Sequence, residues 1–223
     1  MKQFAIITAG GTGTRTGTSI PKQFLPLHGL PVLIHTINQF VSWVDTVIVT
    51  LPKQYIDYWK EIQIKYNFHV SHILVHGGET RFHSIKNALH FIPDNGWVAI
   101  HDAARPFVTS KLICSCFQYA QKHGTAVAAI PLKDTLRMVS GTKSQGVNRS
   151  DFYSVQTPQV FACEMIKKAY QQDYNPNFTD DASVVEAFGK EIHLVNGEET
   201  NIKITTPTDL ALAEILMCQN KIQ

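Results

Sequence analysis

Two stretches of this sequence carry residue types suited to phosphate chemistry. The first is Ala9-Gly10-Gly11-Thr12-Gly13-Thr14-Arg15-Thr16-Gly17, with Lys22 following Pro21. Glycines let backbone approach a ligand closely, and successive amides in such a turn form a nest for anions. The order G-x-x-x-x-G-K-[ST] is absent, and Gly17 falls one place late for the dinucleotide pattern G-x-G-x-x-G. Arg15 and Lys22 set this loop apart. Two cations beside a glycine nest suit a nucleoside triphosphate that loses pyrophosphate. The second stretch is Asp102-Ala103-Ala104-Arg105-Pro106. A carboxylate at a strand end could hold magnesium, a hard cation that prefers oxygen. It could equally cap a helix or pair with Arg105. Arg105 in turn either contacts phosphate or positions Asp102.

Further candidates are scattered along the chain. In Gly77-Gly78-Glu79-Thr80-Arg81-Phe82-His83-Ser84 the glycines could bring backbone against a flat base, and the Ser84 hydroxyl could bond to it. Either could equally be turn and cap chemistry. Lys203 stands between Ile202 and Ile204, so it either snorkels to solvent or points into a cleft. Thr179-Asp180-Asp181 reads as a helix cap or a polar site edge. The ten histidines are dispersed, and His101 beside Asp102 reads as a core or surface residue or as a support for its neighbour. The four cysteines, Cys114, Cys116, Cys163 and Cys218, lack zinc-site spacing. They read as buried thiols in a reducing compartment.

The elements that must position these residues follow a βα period. Phe4–Thr8 is an apolar run without alternation, as a strand buried on both faces should be. Strands are also predicted over 44–49, 70–75, 97–100 and 126–130. Helices are predicted from Pro31, over 55–66, from the Thr80 cap to Phe91, and from the Thr109 cap through Ala120. The alternation argues for a mostly parallel sheet with helices on both faces. After Pro131 the pattern breaks. Two strand-like pieces, 134–139 and 152–156, flank a polar stretch and read as a projecting arm carrying Thr135 and Arg149. That arm is either an ordinary surface hairpin or a dimer contact. Helices over 163–170 and 182–188, a strand over 191–195 and a last helix over 207–218 complete the chain. The expectation is one domain over 1–223, with 132–160 as a β-arm insertion.

Composition narrows the function. The 223 residues can bury roughly 70–75% of their extended surface without metal or disulfide. Lys and Arg number 20 against 18 Asp and Glu, a net charge of +2, so no nucleic-acid partner is expected. No run approaches the roughly 20 apolar residues of a membrane span. The short apolar start gives way at once to glycines, so no membrane partner is expected and the chain reads as cytoplasmic.

The loop Ala9–Arg15 with Pro21-Lys22-Gln23, then Asp102–Pro106, Thr157-Pro158-Gln159 and Asn201-Ile202-Lys203, together resemble the 2-C-methyl-D-erythritol 4-phosphate cytidylyltransferase family. The resemblance covers essentially the whole chain. It implies an α/β, Rossmann-like three-layer nucleotidyltransferase fold with a projecting β-arm. It also implies a homodimer formed through that arm, CTP as donor, a polyol phosphate as acceptor and Mg2+ as cofactor. By the family pattern Arg15, Lys22 and Lys203 look catalytic. Ala9, Gly10, Gly11, Gly13, Gly78, Ser84 and Asp102 look like CTP contacts, with Asp102 also near the metal. Arg105, Thr135, Arg149 and Thr179 look like sugar-phosphate contacts, with Thr135 and Arg149 reaching the partner subunit's substrate. Many members carry alanine where this chain has Gly10. The related ribitol-5-phosphate cytidylyltransferases share such loops. A sugar-1-phosphate nucleotidyltransferase using another base, and a non-catalytic nucleotide-binding regulator, are the rival readings.

Overall fold

The computed structural model describes residues 1–10 and 20–220. In chain order the elements begin with β1 (Gln3–Thr8), β2 (Pro26–Leu27), β3 (Leu30–Pro31), α1 (Val32–Phe40), β4 (Thr46–Leu51) and α2 (Ile56–Lys65). Next come β5 (Ile73–His76), α3 (Arg81–Leu89), β6 (Trp97–Asp102), α4 (Ser110–His123) and β7 (Thr125–Pro131). Then follow β8 (Leu136–Ser140), β9 (Lys143–Val147), β10 (Tyr153–Ala162), α5 (Cys163–Ala169), α6 (Asp181–Ala187), β11 (Leu194–Asn196) and α7 (Pro207–Asn220).

Seven strands form the central sheet in the order β11-β7-β10-β6-β1-β4-β5. All its pairings are parallel except those of β10, which runs antiparallel to both β6 and β7. The continuous apolar run of β1 has the expected cause. Ala5 and Ile7 pack into one core with Leu33, Phe40, Trp59 and Phe117. Phe4 and Ile6 pack into a second, on the other face, with Phe82, Ile85, Ile166 and Tyr170. The α/β three-layer expectation is met. β4 and β5 extend the sheet to one side of β1 and β6 to the other. The connection reverses direction there, and such a reversal leaves a crevice at the carboxyl ends of the strands.

Both predicted caps are present: Thr80 accepts from the His83 amide at the start of α3, and Thr109 accepts from the Leu112 amide at the start of α4. Pro31 does not open α1 from inside. It ends β3 and stands as the residue before the helix, at ψ 141°. β2 and β3, a two-residue hairpin turned by His28 and Gly29 at positive φ, had no signal in the apolar pattern.

The arm differs from the sequence expectation. Its hairpin pairs Leu136–Ser140 with the polar segment Lys143–Val147 around Gly141, at φ 59°. The apolar piece starting at Phe152 is instead the beginning of β10, whose Tyr153 pairs with Pro131 and whose Gln159–Ala162 pair with β6. The expected 132–160 segment is therefore part arm and part central sheet. Apolarity misplaced the return strand because both faces of the hairpin are largely exposed, so nothing requires an alternating pattern. Cys116 and Cys163 are buried thiols, but Cys114 is half-buried and Cys218 exposed, contrary to a uniformly buried set. Among the described residues no helix is long and apolar enough to cross a membrane.

Candidate active site

A cavity of about 310 Å³ opens at the carboxyl ends of β1 and β6, at the reversal point. Five segments meet around it. Thr8 at the end of β1 and Ala9 and Gly10 just beyond it form one wall, and from the single turn over 22–24 comes Lys22. The α3 entry contributes Gly78, Glu79, Thr80, Arg81 and Ser84, and the end of β6 contributes Asp102. Lys203 closes the ring from the far end of the chain.

Backbone and buried amides hold these segments in place. The Ala9 amide donates to Thr50 O at 3.0 Å, and Gln23 Nε2 donates to Ala9 O at 2.8 Å. The turn bearing Lys22 is thereby pinned to the start of the glycine loop. Ser84 Oγ donates to Thr80 O at 2.9 Å and accepts from the Gly78 amide at 3.0 Å. Its hydroxyl proton is thus committed to shaping the turn, which leaves only acceptor capacity toward a ligand. Gly78 cannot carry a side chain: a Cβ there would lie 2.4 Å from His83 Cβ. A Cβ on Gly10 would meet only Ser84 Oγ, at 3.8 Å, an ordinary contact. Gly10→Ala is expected to keep nucleotide affinity within about twofold, whereas Gly78→Ala lowers the unfolding temperature and weakens nucleotide binding. Calorimetric titration and thermal unfolding of the two variants check both outcomes.

Asp102 is the electrostatic centre. Lys203 Nζ lies 2.8 Å from Oδ2, Arg105 Nε 3.4 Å from Oδ2, and Arg81 Nε 3.8 Å from Oδ1. Burial alone would raise this carboxyl's pKa, but Arg81, Lys203 and Arg105 outweigh it and hold it well below the usual carboxylate range. The site therefore holds a fixed anion among cations. Arg105 is buried beneath Asp102, its Nη1 donating to Asn201 O at 2.8 Å. Ile204 N donates to Ala104 O at 2.9 Å. Asn201 Nδ2 donates to Thr157 O at 2.8 Å. These bonds strap the Lys203 segment to the end of β6, which brings the lysine into the cleft rather than out to solvent. Arg105 pairs with Asp102 and lies outside the cavity lining.

His101 completes the support. The Asp102 amide donates to Thr157 Oγ1 at 3.1 Å, Thr157 Oγ1 lies 3.0 Å from His101 Nδ1, and His101 Nε2 lies 3.0 Å from Arg105 O. One neutral tautomer, protonated on Nε2, satisfies the whole chain of bonds. Burial depresses this imidazole to about 4, against 6.5 in the open. The unfolded chain therefore binds the proton first as pH falls. The contribution to stability is whole above pH 6.5 and lost progressively down to about pH 4, roughly 3 kcal/mol in total. The unfolding temperature is expected to drop across that window, and the His101 ring resonances should show no titration above pH 5. A His101 midpoint near 6.5 would contradict this.

Of the sequence candidates, Ala9, Gly10, Lys22, Gly78, Ser84, Asp102 and Lys203 line the one cavity. Gly11, Gly13 and Arg15 lie outside the described residues. Thr135, Arg149 and Thr179 are not in the lining. Thr135 and Arg149 are exposed on the arm side, where the Arg149 guanidinium bonds Lys133 O, and Thr179 is exposed just before α6. The sequence reading missed Arg81, which lines the cavity. Its place directly after the Thr80 cap was the available signal. Among the described residues no three His, Cys, Asp or Glu side chains cluster to hold a metal. Asp102 and Glu79 in the lining nonetheless fit magnesium, which usually takes one or two carboxylates and completes its shell with substrate phosphates and water.

The comparisons with known proteins agree with one another. The family model described as IspD, 2-C-methyl-D-erythritol 4-phosphate cytidylyltransferase, matches residues 3–219. The protein of that description from Bacteroides thetaiotaomicron is 46% identical over 219 residues, covering 97% of this chain and 100% of that one. The Clostridium perfringens protein of the same description is 39% identical, covering 96% and 97%. Among solved structures, 4-diphosphocytidyl-2C-methyl-D-erythritol synthase from Anaerococcus prevotii superposes with a TM-score of 0.83 at 28% identity, covering 97% and 96%. The Thermus thermophilus cytidylyltransferase does so at 0.80 and 32%, covering 97% and 98%.

Proposed function

The chain belongs to the 2-C-methyl-D-erythritol 4-phosphate cytidylyltransferase family, and from that premise we infer the reaction that its cavity performs. It transfers the cytidylyl group of CTP to 2-C-methyl-D-erythritol 4-phosphate. The products are 4-diphosphocytidyl-2-C-methyl-D-erythritol and pyrophosphate, in the non-mevalonate route to isoprenoids. The observation that carries the site assignment is the meeting of Lys22, Asp102, Lys203 and the Gly78–Ser84 turn in one cavity at the sheet's reversal point.

An acceptor phosphate oxygen attacks the α-phosphorus of CTP in line. The new P–O bond forms as the bond to the β-phosphate's bridging oxygen breaks, and the electron pair leaves with pyrophosphate. A phosphate monoester has its second pKa near 6, so at neutral pH the nucleophile is already mostly a dianion and needs no general base. The barrier is repulsion between a dianion and a polyanion. Lys22 and Arg15 take the charge of the triphosphate. Lys203, poised on Asp102 at 2.8 Å, meets the phosphates at the reacting centre. Gly10, Gly78 and Ser84 pack against the cytosine. These cations act as preorganised electrostatic stabilisation. Mg2+, held by Asp102 with the substrate phosphates, would neutralise further phosphate charge when bound.

Arg105 supports Asp102, while Thr135, Arg149 and Thr179 serve the sugar phosphate. The arm supports a homodimer: its hairpin forms a separate two-stranded sheet, marginal on its own in water. Met138, Val139, Phe152 and Tyr153 leave apolar surface exposed along it. A second copy covering that surface would bring Thr135 and Arg149 to the neighbouring cavity. Four free cysteines support a reducing, cytoplasmic setting. Pyrophosphate release tests the reaction. Release is expected only when CTP and methylerythritol phosphate are both present, with UTP, ATP, GTP or ribitol 5-phosphate far poorer. Equal or greater release with ribitol 5-phosphate would overturn the acceptor assignment.

A further inference from the structure

Arg81 brings a cation to this cavity that the reaction chemistry above leaves without a task. It is the first residue of α3, and its guanidinium faces two carboxylates. Nη2 lies 2.5 Å from Asp181 Oδ2, and Nε lies 3.8 Å from Asp102 Oδ1. Asp181, at the start of α6, is completely buried. Its other oxygen accepts the Tyr170 hydroxyl at 2.6 Å. A carboxylate buried to that degree needs hydrogen bonds and a counter-charge, and Tyr170 and Arg81 supply them. The Tyr170 ring stacks on Phe82, the next residue of α3, with centroids 4.7 Å apart. Arg81 is therefore anchored at its far end by a carboxylate with no access to water, which directs Nε toward Asp102. Lys203 and Arg105 hold the opposite oxygen of Asp102. Cations from three parts of the chain thus fix one carboxylate from both sides.

We propose that Arg81, anchored by Asp181 and Tyr170, is a positioning residue for the cytidylyl transfer. It sets the orientation of the Asp102 carboxylate and, through it, the placement of the Lys203 ammonium. This rests on the reaction assigned above. A plain structural clamp between α3 and α6 would use the same Arg81–Asp181 pair, so the two roles must be separated.

The experiment measures thermal unfolding and steady-state pyrophosphate release for wild type, Arg81→Met and Arg81→Met/Asp181→Asn. The Arg81→Met change is also measured on an Asp102→Asn background. Arg81→Met strands a buried carboxylate and is expected to lower the unfolding temperature by roughly 10 °C. The double variant removes both charges and regains most of that loss. If Arg81 positions Asp102, kcat falls by roughly 10–100-fold in Arg81→Met and stays low in the restabilised double variant, with KM for CTP changing much less. On the Asp102→Asn background the same change costs less than about twofold, because coupled residues do not add. Recovery of kcat together with stability in the double variant would reduce Arg81 to a clamp. An undiminished cost on the Asp102→Asn background would show that it does not act through Asp102. Wild-type turnover of CTP judges the reaction itself, whereas the ratios between variants judge the positioning role.

Discussion

Lys22→Ala is expected to lower kcat by roughly 10²–10³-fold, the usual cost of deleting one preorganised charge-stabilising group, with the fold intact. Lys22 sits in a single turn between Pro21 and the buried Gln23, at the wall of the cavity. The turn is held by the backbone bond from Phe24 N to Pro21 O and by Gln23 on Ala9 O, none of which uses the lysine side chain. Truncation is therefore expected to leave the turn in place and, in the proposed reaction, to remove a positive charge from where negative charge builds on the departing pyrophosphate. The loss should appear in kcat and in kcat/KM together, the pattern for an interaction made mainly in the transition state. An unchanged kcat with a raised KM would make Lys22 a binding group only.

The second large effect concerns the arm. In the proposed dimer each cavity takes Lys22 from one chain and Arg149 from the other. Lys22→Ala and Arg149→Ala proteins should each be nearly inactive alone. After unfolding and refolding together, random pairing makes half the dimers mixed. Each mixed dimer rebuilds one intact cavity and one doubly damaged cavity, so roughly a quarter of wild-type activity returns in a two-fold symmetric assembly. Mixing without recovery, in a preparation shown to contain mixed dimers, would mean that each cavity is built within one chain.

Local physics made much of this protein legible in its sequence. An unalternating run such as Phe4–Thr8 marks a strand buried on both faces, and Thr80 and Thr109 mark helix starts, because burial and capping act on neighbouring residues. Glycine at 78 is required by a clash with His83, five residues on, again a local cause. The illegible parts depend on distant partners. Whether Lys203 snorkels or enters a cleft is decided by Asn201 bonding to Thr157 of β10 and by Asn201 and Ile204 bonding to Arg105 and Ala104 just after β6. Arg81 looked like an ordinary first-turn residue, and its partner Asp181 lies one hundred residues away. The arm's return strand was missed because Lys143–Val147 is solvated on both faces and has no apolar period to read.

The central claim is that one cavity, bounded by Lys22 and Lys203, holds the reacting nucleotide. A crystal structure with bound CTP tests it most directly. The cytosine should lie against Gly10, Gly78 and Ser84, with the phosphates running between Lys22 and Lys203 beside Asp102. A second, larger cavity of about 650 Å³ lies at the amino-terminal end of β7, lined by His123, Lys168, Lys190 and His193. CTP bound there, with nothing between Lys22 and Lys203, would contradict the account.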